Sequence, residues 1–413
     1  YEQRQSDIQY PHFVFYVLGE LDAAYGRGAY IERGFTVQTT LIPRIQNTAE
    51  AAIQQGVARL ALNGAQTGAA IVTDPNTGAI LSMVGSPDFN NEEIDGQNNN
   101  TISLQQPGSA IKPIVYATAL TGTTNGYYTP ASILWDVTTQ YNLDGTIYTP
   151  TNFDGRFRGP VPLRYALAQS LNIPAIKTYG QFGSQAFVDI ATAMGLVFDL
   201  NPDDDIVPTF GLPTAIGATE VSLMDLTHAY GVIAADGVRT ELYAVETITE
   251  RTSSGAEQAV ELTANLLHDV QTQAISPRVA YLLQNILSDD TARKTSVNGG
   301  GSTFPANSAI SGASLGLNNR DQVGVKTGTN NTENGNPSRI WTVGFTNNYA
   351  VGVWLGTVQQ GTPMTGSVTG LTGTAPVWNA IMAEALNGVK PGTFASPSGV
   401  VSDSVCQLTG TLA

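Results

Sequence analysis

Five β-like segments lie towards the two ends of this chain of 413 residues, and a long helical block separates them. Two apolar runs, at 69–73 and 79–84, flank the turn-forming residues 74–78, and this arrangement predicts a β-hairpin. Three further β-like runs follow the helical block, at 322–327, 340–346 and 349–355. Because strands from both ends enclose one helical insert, the pattern predicts a single antiparallel sheet with helices packed on it. It argues against a doubly wound parallel sheet.

The first 66 residues follow a pattern of their own. Residues 12–25 are apolar at helical spacing, residues 34–41 alternate like a strand, and a second helical pattern runs from Pro43 to about residue 62. These elements form a small α/β unit that is too short to build a large core of its own. We therefore divide the chain into a first unit at 1–66, a main domain at 67–388 and a tail at 389–413.

The remaining segments are described by their composition and periodicity. Residues 108–120 and 375–386 are predicted to be helices, and residues 121–290 to be a succession of helices and loops. Residues 296–319 are rich in Gly, Ser and Asn, which predicts an exposed insertion. The tail is predicted to be extended or loose.

Composition excludes several classes of protein. The formal net charge of −15 repels phosphate backbones and argues against nucleic acid as a partner. A single cysteine, Cys406, excludes an internal disulfide framework. The three histidines, His12, His228 and His268, are far apart and flanked by apolar residues, so they predict neither a metal site nor a Ser-His-Asp triad. No run of 18 or more apolar residues predicts a membrane span or a signal peptide.

Two of the five lysines lie in motifs that can carry chemistry. Ser109 and Lys112 are three residues apart, and Pro113 requires the helix to begin close to Ser109, because proline is not tolerated further inside a helix. The two side chains therefore share one face at the helix N-terminus. A lysine with a lowered pKa can accept the serine proton there, and the free backbone N–H groups can stabilise an oxyanion.

The second lysine motif is Lys-Thr-Gly-Thr, which ends a strand pattern. Lys326 supplies positive charge, and the hydroxyl groups of Thr327 and Thr329 can hold a carboxylate. Gly328 removes a side chain, so we expect room there for a ligand against the backbone.

A third short motif, Ser170-Leu-Asn172, follows a helical run at 163–169. By itself it also suits an ordinary helix end, where serine and asparagine are common. In order along the chain, however, Ser-x-x-Lys, Ser-x-Asn and Lys-Thr-Gly are the three marks of penicillin-recognising serine acyltransferases. The chain resembles the transpeptidase part of a class A, bifunctional penicillin-binding protein over nearly its whole length. The similar segments are 34–41, 74–85, 106–113, 171–177, 341–346 and 351–356.

The resemblance implies a mixed α/β fold of the penicillin-binding protein and serine β-lactamase type. This fold has an antiparallel five-stranded sheet flanked by helices, together with a helical subdomain. Residues 1–66 are similar to the linker that follows the glycosyltransferase domain in this family. The implied location is the outer face of the bacterial cytoplasmic membrane, with an anchor and a glycosyltransferase domain upstream of Tyr1.

The resemblance also implies a role for each motif residue. Ser109 would be the acylated nucleophile and Lys112 its proton acceptor. Ser170 would relay protons, and Asn172 would hold the substrate amide. Lys326 would shape the electrostatics around Ser170.

Substrate binding and oxyanion stabilisation are assigned in the same way. Thr327 and Thr329, with Gly328 between them, would bind the terminal carboxylate, and the backbone N–H groups of Ser109 and Thr329 would form the oxyanion hole. The implied reaction attacks the D-Ala–D-Ala bond of a peptidoglycan stem peptide, and an amine from a second strand then resolves the acyl-enzyme. β-Lactams would imitate the donor and trap Ser109. No metal or other cofactor is implied.

Three features depart from the family pattern. Arg339 stands where the family often has aspartate, and Asn330-Asn331 follow the Lys-Thr-Gly-Thr motif where threonine is frequent. The insertion at 296–319 is longer and richer in glycine than usual. These departures bear on substrate fit more than on the chemistry.

Other activities remain open at this stage. A D,D-carboxypeptidase or a β-lactamase would use the same three motifs, although the chain is much longer than a class A β-lactamase. A non-catalytic β-lactam sensor would also be compatible with intact Ser109, Lys112 and Lys326. The similarity of the first 66 residues to the family linker favours the transpeptidase.

Overall fold

The computed structural model describes most of the chain. The described residues are 8–124, 126–143, 145–198, 210–267, 270–299, 304, 308–317, 320–331, 335–359 and 362–412. The helices are α1 Pro11–Tyr25, α2 Ala29–Glu32, α3 Pro43–Arg59, α4 Lys112–Thr121, α5 Leu163–Ala168, α6 Asn172–Phe182, α7 Ser184–Ala193, α8 Leu223–Ala234, α9 Pro277–Leu287, α10 Asp290–Lys294 and α11 Thr374–Ala385.

The strands occur in three parts of the chain. The first three are β1 Phe35–Thr39, β2 Thr67–Thr73 and β3 Ile80–Val84. Eight short strands follow: β4 Ile133–Asp136, β5 Tyr141–Leu143, β6 Thr146–Tyr148, β7 Gly159–Pro162, β8 Val238–Thr240, β9 Val245–Arg251, β10 Glu257–Val260 and β11 Gln271–Gln273. The last three are β12 Gly324–Asn331, β13 Pro337–Phe345 and β14 Ala350–Gly356.

A five-stranded antiparallel sheet is the centre of the molecule. Its strand order is β12-β13-β14-β2-β3, so β2 from the first part of the chain pairs directly with β14 from the last part. Every residue of β2, β3, β13 and β14 is buried. The predicted fold class, an antiparallel five-stranded sheet flanked by helices, is confirmed.

The sheet separates two hydrophobic cores, because successive side chains of a strand point to opposite faces. In β2, Ala69 and Ile71 belong to one core, and Ala70 and Val72 belong to the other. Helix α8 packs on the first face, whereas α3 and α11 pack on the second. Burial on both faces explains why these strands read as continuous apolar runs in the sequence.

The first 66 residues contribute to both of these cores. Helix α1 places Phe13, Val17 and Leu21 in the core that contains α8, and α3 packs against α11 and β3. Strand β1 pairs with β9, far along the chain. Among the helices that the structure describes, none combines the length and hydrophobicity needed to cross a bilayer.

The block at 121–290 contains more than the predicted helices and loops. Eight short strands occur in it, and they form two-stranded pairs or extend β1 into a three-stranded sheet. The prediction was wrong here because most of these strands have only three or four residues. Runs of that length, such as the all-polar Gln271–Gln273, are too short to show a period of two.

The expected exposed insertion at 296–319 is also corrected in its described part. Val297 lies in the first core, and Phe304 and Ile310 lie in the second. The prediction was wrong because these buried apolar residues are isolated within a segment that is otherwise rich in glycine and serine. In the tail, no helix or strand is present among residues 389–412, although Phe394 is buried and the Ser398 carbonyl accepts a hydrogen bond from Arg278.

The second core gives a direct test of the fold. Trp378 on α11 is fully buried, and its indole N–H donates to the Val351 carbonyl at 3.1 Å. We expect Trp378→Ala to lower the free energy of unfolding by about 3–5 kcal/mol, because it removes a large side chain from a packed core. Urea unfolding followed by circular dichroism measures this change.

The matched control is Trp135→Ala. The Trp135 residue is 58% exposed, so the same substitution should change stability by no more than about 0.5 kcal/mol. Equal losses in the two variants would contradict the described packing of α11 on the sheet.

Candidate active site

The start of helix α4 presents Ser109. A 3-10 helix, Gly108–Ile111, runs directly into α4, and Pro113 occupies the first turn, as its restricted backbone requires. Ser109 is partly exposed, whereas the next two residues, Ala110 and Ile111, are buried in the first core. The helix therefore begins next to Ser109, where the sequence predicted it.

Lys112 is fully buried and points towards the Ser-x-Asn motif. Its Nζ donates to the Ser170 carbonyl at 2.7 Å and to Asn172 Oδ1 at 2.7 Å, and it lies 3.3 Å from Ser170 Oγ. Burial lowers the pKa of Lys112 well below its ordinary value; the nearby Lys326 lowers it further, and Asp136 opposes both effects. Within the described residues, no hydrogen bond joins Lys112 to the Ser109 hydroxyl.

Lys326 reaches the same serine from the edge strand β12. Its Nζ donates to Ser170 Oγ at 2.8 Å and to the Thr327 carbonyl at 2.7 Å. Burial, followed by the positive charge of Arg293, lowers the pKa of Lys326 to about 7. Two lysine amines therefore meet one hydroxyl, and both are displaced towards the neutral form that can accept a proton.

Ser170 is held in an uncommon backbone conformation. Helix α5 ends with hydrogen bonds from Ser170 N to the Leu167 carbonyl and from Leu171 N to the Ala166 carbonyl. Ser170 itself has φ 60°, the left-handed region that glycine usually occupies at such helix ends. This conformation costs a serine roughly 1 kcal/mol or more. The motif is thus both a helix end and the point where two lysines converge.

Asn172 is the first residue of α6 and is held by contacts on both sides of its amide. Its Oδ1 accepts from Lys112, and its Nδ2 donates to the Thr151 carbonyl at 2.8 Å. The backbone N–H of Asn172 donates to Asn152 Oδ1 at 2.7 Å. The sequence did not single out Thr151 or Asn152, because neither belongs to a motif with a recognisable spacing.

Close backbone packing brings the Lys-Thr-Gly-Thr strand against the start of α4. A Cβ at Gly328 would lie 2.2 Å from the Pro107 carbonyl oxygen, and one at Gly108 would lie 2.5 Å from the Thr329 carbonyl oxygen. The chain itself fills the side of Gly328 on which a side chain would stand. Gly328 therefore allows close contact between strand and helix, and its expected contact with a ligand stays a prediction.

The two threonines of this strand lie at the same edge. Thr327 is 8% exposed, and no described residue hydrogen-bonds to its hydroxyl. Thr329 is partly exposed, and its Oγ1 accepts from Gly370 N at 3.1 Å. The structure thus brings Ser109, Lys112, Ser170, Asn172, Lys326, Thr327 and Thr329 into one region.

The residues that depart from the family pattern contact the segment that leads to Ser109. Arg339 Nε donates to Gln105 Oε1 at 2.6 Å, and the Asn330 side chain hydrogen-bonds to Gln106. Arg339 is buried and lies over the Trp354 ring. Arg339 and Asn330 therefore hold residues 105 and 106, which precede Ser109, in place through hydrogen bonds inside the protein.

The histidines have structural partners. His12 contacts the Gly96 carbonyl at 2.9 Å, and His228 contacts the Thr240 carbonyl at 2.8 Å. Burial lowers the pKa of both imidazoles. His268 lies outside the described residues. Across the described ranges, no three His, Cys, Asp or Glu side chains form a group suited to a metal ion.

Comparison with known proteins identifies the family. A model of the penicillin binding protein transpeptidase domain matches residues 68–383. The chain belongs to this transpeptidase family. Penicillin-binding protein 2D of Bacillus subtilis is 28% identical over 406 residues, which cover 97% of this chain and 52% of the relative. The chain therefore spans about half the length of that penicillin-binding protein.

Solved structures of penicillin-binding proteins share the fold. Penicillin-binding protein 1A from Haemophilus influenzae has a TM-score of 0.80 at 18% identity, covering 98% of this chain and 75% of that one. PonA1 from Mycobacterium tuberculosis in complex with penicillin V has a TM-score of 0.71 at 22% identity, covering 95% and 97%. The family predicted from the three motifs is confirmed.

The lowered lysine pKa values can be measured directly. With only five lysines in the chain, NMR of protein labelled at the lysine side chains should resolve each titration. We expect one lysine signal, lost in Lys326→Arg, to titrate at about pH 7. Arg293→Gln should raise this pKa, because removing a nearby positive charge makes protonation of Lys326 easier.

Two further variants separate charge from packing. Arg293→Lys keeps the positive charge, so the Lys326 pKa should stay low even though the guanidinium bonds to Asp290 and to the Leu287 and Val325 carbonyls are lost. Arg278→Gln removes an arginine that binds the tail at Ser398, and it should leave the titration unchanged. A Lys326 signal that titrates near its ordinary value of 10.5 in the unmodified protein would contradict this electrostatic description.

Proposed function

We propose that this chain is a D,D-transpeptidase that cross-links peptidoglycan stem peptides through an acyl-enzyme on Ser109. The observation that carries the proposal is the convergence of Lys112 and Lys326 on Ser170, beside the helix start that bears Ser109. Two buried amines with lowered pKa values provide proton acceptors in a site without histidine.

In the proposed acylation, one proton moves when the bond to Ser109 forms and one moves when the bond to the terminal D-Ala breaks. Ser109 Oγ attacks the carbonyl carbon of the penultimate D-Ala while its proton passes to the neutral amine of Lys112. The backbone N–H groups of Ser109 and Thr329 receive the oxyanion. The proton then moves, through Ser170, to the nitrogen of the departing D-Ala, so the C–N bond breaks and the ester remains.

Deacylation reverses the roles of the same groups. The amine of a second stem peptide attacks the ester carbonyl, gives its proton to a neutral amine of the site, and forms the new amide. The ester bond to Ser109 then breaks, and Ser109 Oγ takes up a proton and is restored as a free hydroxyl. We assign Asn172 to the substrate amide, Lys326 to the electrostatics of Ser170, and Thr327 and Thr329 to the terminal carboxylate.

β-Lactams are proposed to acylate the same serine, because they present a reactive amide in place of the D-Ala–D-Ala bond. The support is the family membership, together with the fold shared with PonA1, whose structure contains penicillin V. No metal or organic cofactor enters the proposed reaction.

The setting of the domain is proposed from the relatives. We infer that residues 1–66 link the transpeptidase domain at 67–388 to a glycosyltransferase domain, and that a membrane anchor holds the enzyme at the outer face of the cytoplasmic membrane. The family match from residue 68, and relatives about twice as long as this chain, support this division.

A β-lactamase would need a group that activates water. Class A β-lactamases use a glutamate in a Glu-x-x-x-Asn loop, and this spacing occurs in the chain at Glu261 and Asn265. Glu261 is exposed, and its carbonyl accepts a hydrogen bond from the Tyr25 hydroxyl of α1 at 2.7 Å. No contact connects Glu261 to Ser170 or Lys112 in the described structure, so the spacing does not favour hydrolysis.

Intact-mass spectrometry with benzylpenicillin tests the proposal. We expect a stable adduct of one drug molecule per chain, lost in Ser109→Ala, because only Ser109 supplies the attacking oxygen. Ser103→Ala is the matched control, since Ser103 lies six residues earlier and donates only to the Asn99 carbonyl; it should retain the adduct.

The pattern of products distinguishes the remaining activities. Hydrolysed drug with unmodified protein would indicate a β-lactamase, and no reaction at all would contradict the assignment of Ser109. When the adduct forms, release of D-Ala from a stem-peptide donor is measured with and without an amine acceptor. A cross-linked product supports the transpeptidase, water as sole acceptor indicates a carboxypeptidase, and no turnover indicates a sensor.

A further inference from the structure

Three buried polar residues outside the sequence motifs form a network behind Asn172. Asp136, at the end of β4, has no exposed surface, and its two oxygens accept from Asn152 Nδ2 at 2.7 and 2.9 Å. The backbone N–H of Arg158 donates to Asp136 Oδ2 at 2.9 Å, and the Arg158 guanidinium lies 4.0 Å away. Burial raises the pKa of Asp136 above its ordinary value, and the bonds from Asn152 and from the Arg158 N–H, together with the charge of Arg158, oppose this rise. All of these groups are donors, which is the bonding that an ionised carboxylate accepts.

The carboxylate determines which way the Asn152 amide points. Asn152 Nδ2 also donates to the Arg156 carbonyl at 2.8 Å, so its donors are directed at acceptors. Its Oδ1 must therefore face the opposite side, where it accepts from Asn172 N at 2.7 Å and Ile173 N at 3.4 Å. These are free N–H groups at the start of α6, so Asn152 acts as an N-terminal cap supplied from another segment.

The capped residue is the one that holds Lys112. Asn172 Oδ1 accepts from Lys112 Nζ at 2.7 Å, while Asn172 Nδ2 donates to the carbonyl of Thr151, which immediately precedes Asn152. Residues 151 and 152 thus bind both the main-chain N–H and the side-chain amide of Asn172. An unbroken series of hydrogen bonds runs from Asp136 through Asn152 and Asn172 to the amine of Lys112.

The charge of Asp136 also acts on the lysine at the other end of this hydrogen-bond series. The charged groups that act on Lys112 are Lys326 from β12, which opposes protonation, and Asp136 from β4, which favours it. Asp136 is itself faced by Arg158 and influenced by Asp154. It also acts on Lys177, whose Nζ binds the Trp135 carbonyl. Asp136 therefore counters part of the positive charge at the two-lysine site.

We propose that Asp136 and Asn152 are positioning residues for the acylation of Ser109, which fix the Asn172 amide and thereby the amine that accepts the serine proton. This inference rests on the proposed function of Ser109 and Lys112. Neither residue touches the reacting atoms: both position Asn172, and the negative charge of Asp136 also acts on Lys112. Single substitutions at the two residues, and a variant that exchanges their side chains, distinguish this positioning role from a general contribution to the stability of the fold.

Asp136→Asn is the first variant. An amide at residue 136 has only one acceptor oxygen, and its NH₂ group would oppose the NH₂ group of Asn152. The bonds that orient Asn152 are therefore weakened, and Asn152 can turn its NH₂ group towards the N–H of Asn172. We expect the second-order rate constant for acylation by benzylpenicillin to fall by roughly 10- to 100-fold, as for a small misplacement of a reacting group. The low-pH limb of the rate profile should move to lower pH, because loss of the negative charge lowers the Lys112 pKa further.

The exchange variant D136N/N152D restores complementarity. Its residue 136 amide can donate to the carboxylate at 152 and accept from Arg158 N, and that carboxylate can accept from Asn172 N. The bond to the Arg156 carbonyl is lost, so we expect partial recovery, about tenfold over Asn152→Asp alone. Asp189→Asn is the charge control: it removes an exposed carboxylate from α7 that bonds to Gln185, and it should acylate within about twofold of the unmodified chain.

The outcomes are distinct. Single variants that acylate normally with an unmoved low-pH limb would overturn the proposal. So would rate losses that only follow the fraction of folded protein in melting curves, without recovery in the exchange variant. If the unmodified chain forms no adduct, the proposed function fails. Lysine NMR then decides the network: Lys112 must titrate at lower pH in Asp136→Asn, and an unchanged titration rejects the inference.

Discussion

The site depends on two lysine amines meeting at one serine hydroxyl inside the protein. Lys112 and Lys326 are both buried, and each lies within hydrogen-bond reach of Ser170 Oγ. Removing an ammonium from water favours its neutral form, and the proximity of two such groups strengthens that preference. Lysine can thus serve as a general base in a chain whose described histidines hydrogen-bond to backbone carbonyls.

Three separate parts of the chain must pack closely to create this meeting point. The start of α4 supplies Lys112, the end of α5 supplies Ser170, and edge strand β12 supplies Lys326. Glycine makes the contact between strand and helix possible, since a Cβ at Gly108, Gly217 or Gly328 would lie less than 3.0 Å from neighbouring backbone atoms. Absence of side chains at these positions is therefore as necessary as the lysines themselves.

Sequence could predict the central sheet and the main motifs for identifiable physical reasons. Strands buried on both faces contain continuous runs of mainly apolar residues, and such runs can be recognised in the sequence. The motifs were recognisable because each keeps a short, fixed spacing. Asp136, Asn152 and Arg293 have no such spacing: they act on the site across contacts between distant segments, and only the folded structure shows those contacts. The strands at 133–162 were missed for a different reason, since each has only three or four residues.

The pairing of β2 with β14 has a consequence for biosynthesis. A ribosome completes the β2–β3 hairpin long before it makes the partner strand β14, Ala350–Gly356, because the helical block is synthesised between them. Until then, one apolar edge of the hairpin has unpaired backbone groups, which is the kind of surface that associates with other chains. Such long-range closure also slows folding. This edge of β2 therefore stays unpaired until β14 has been made.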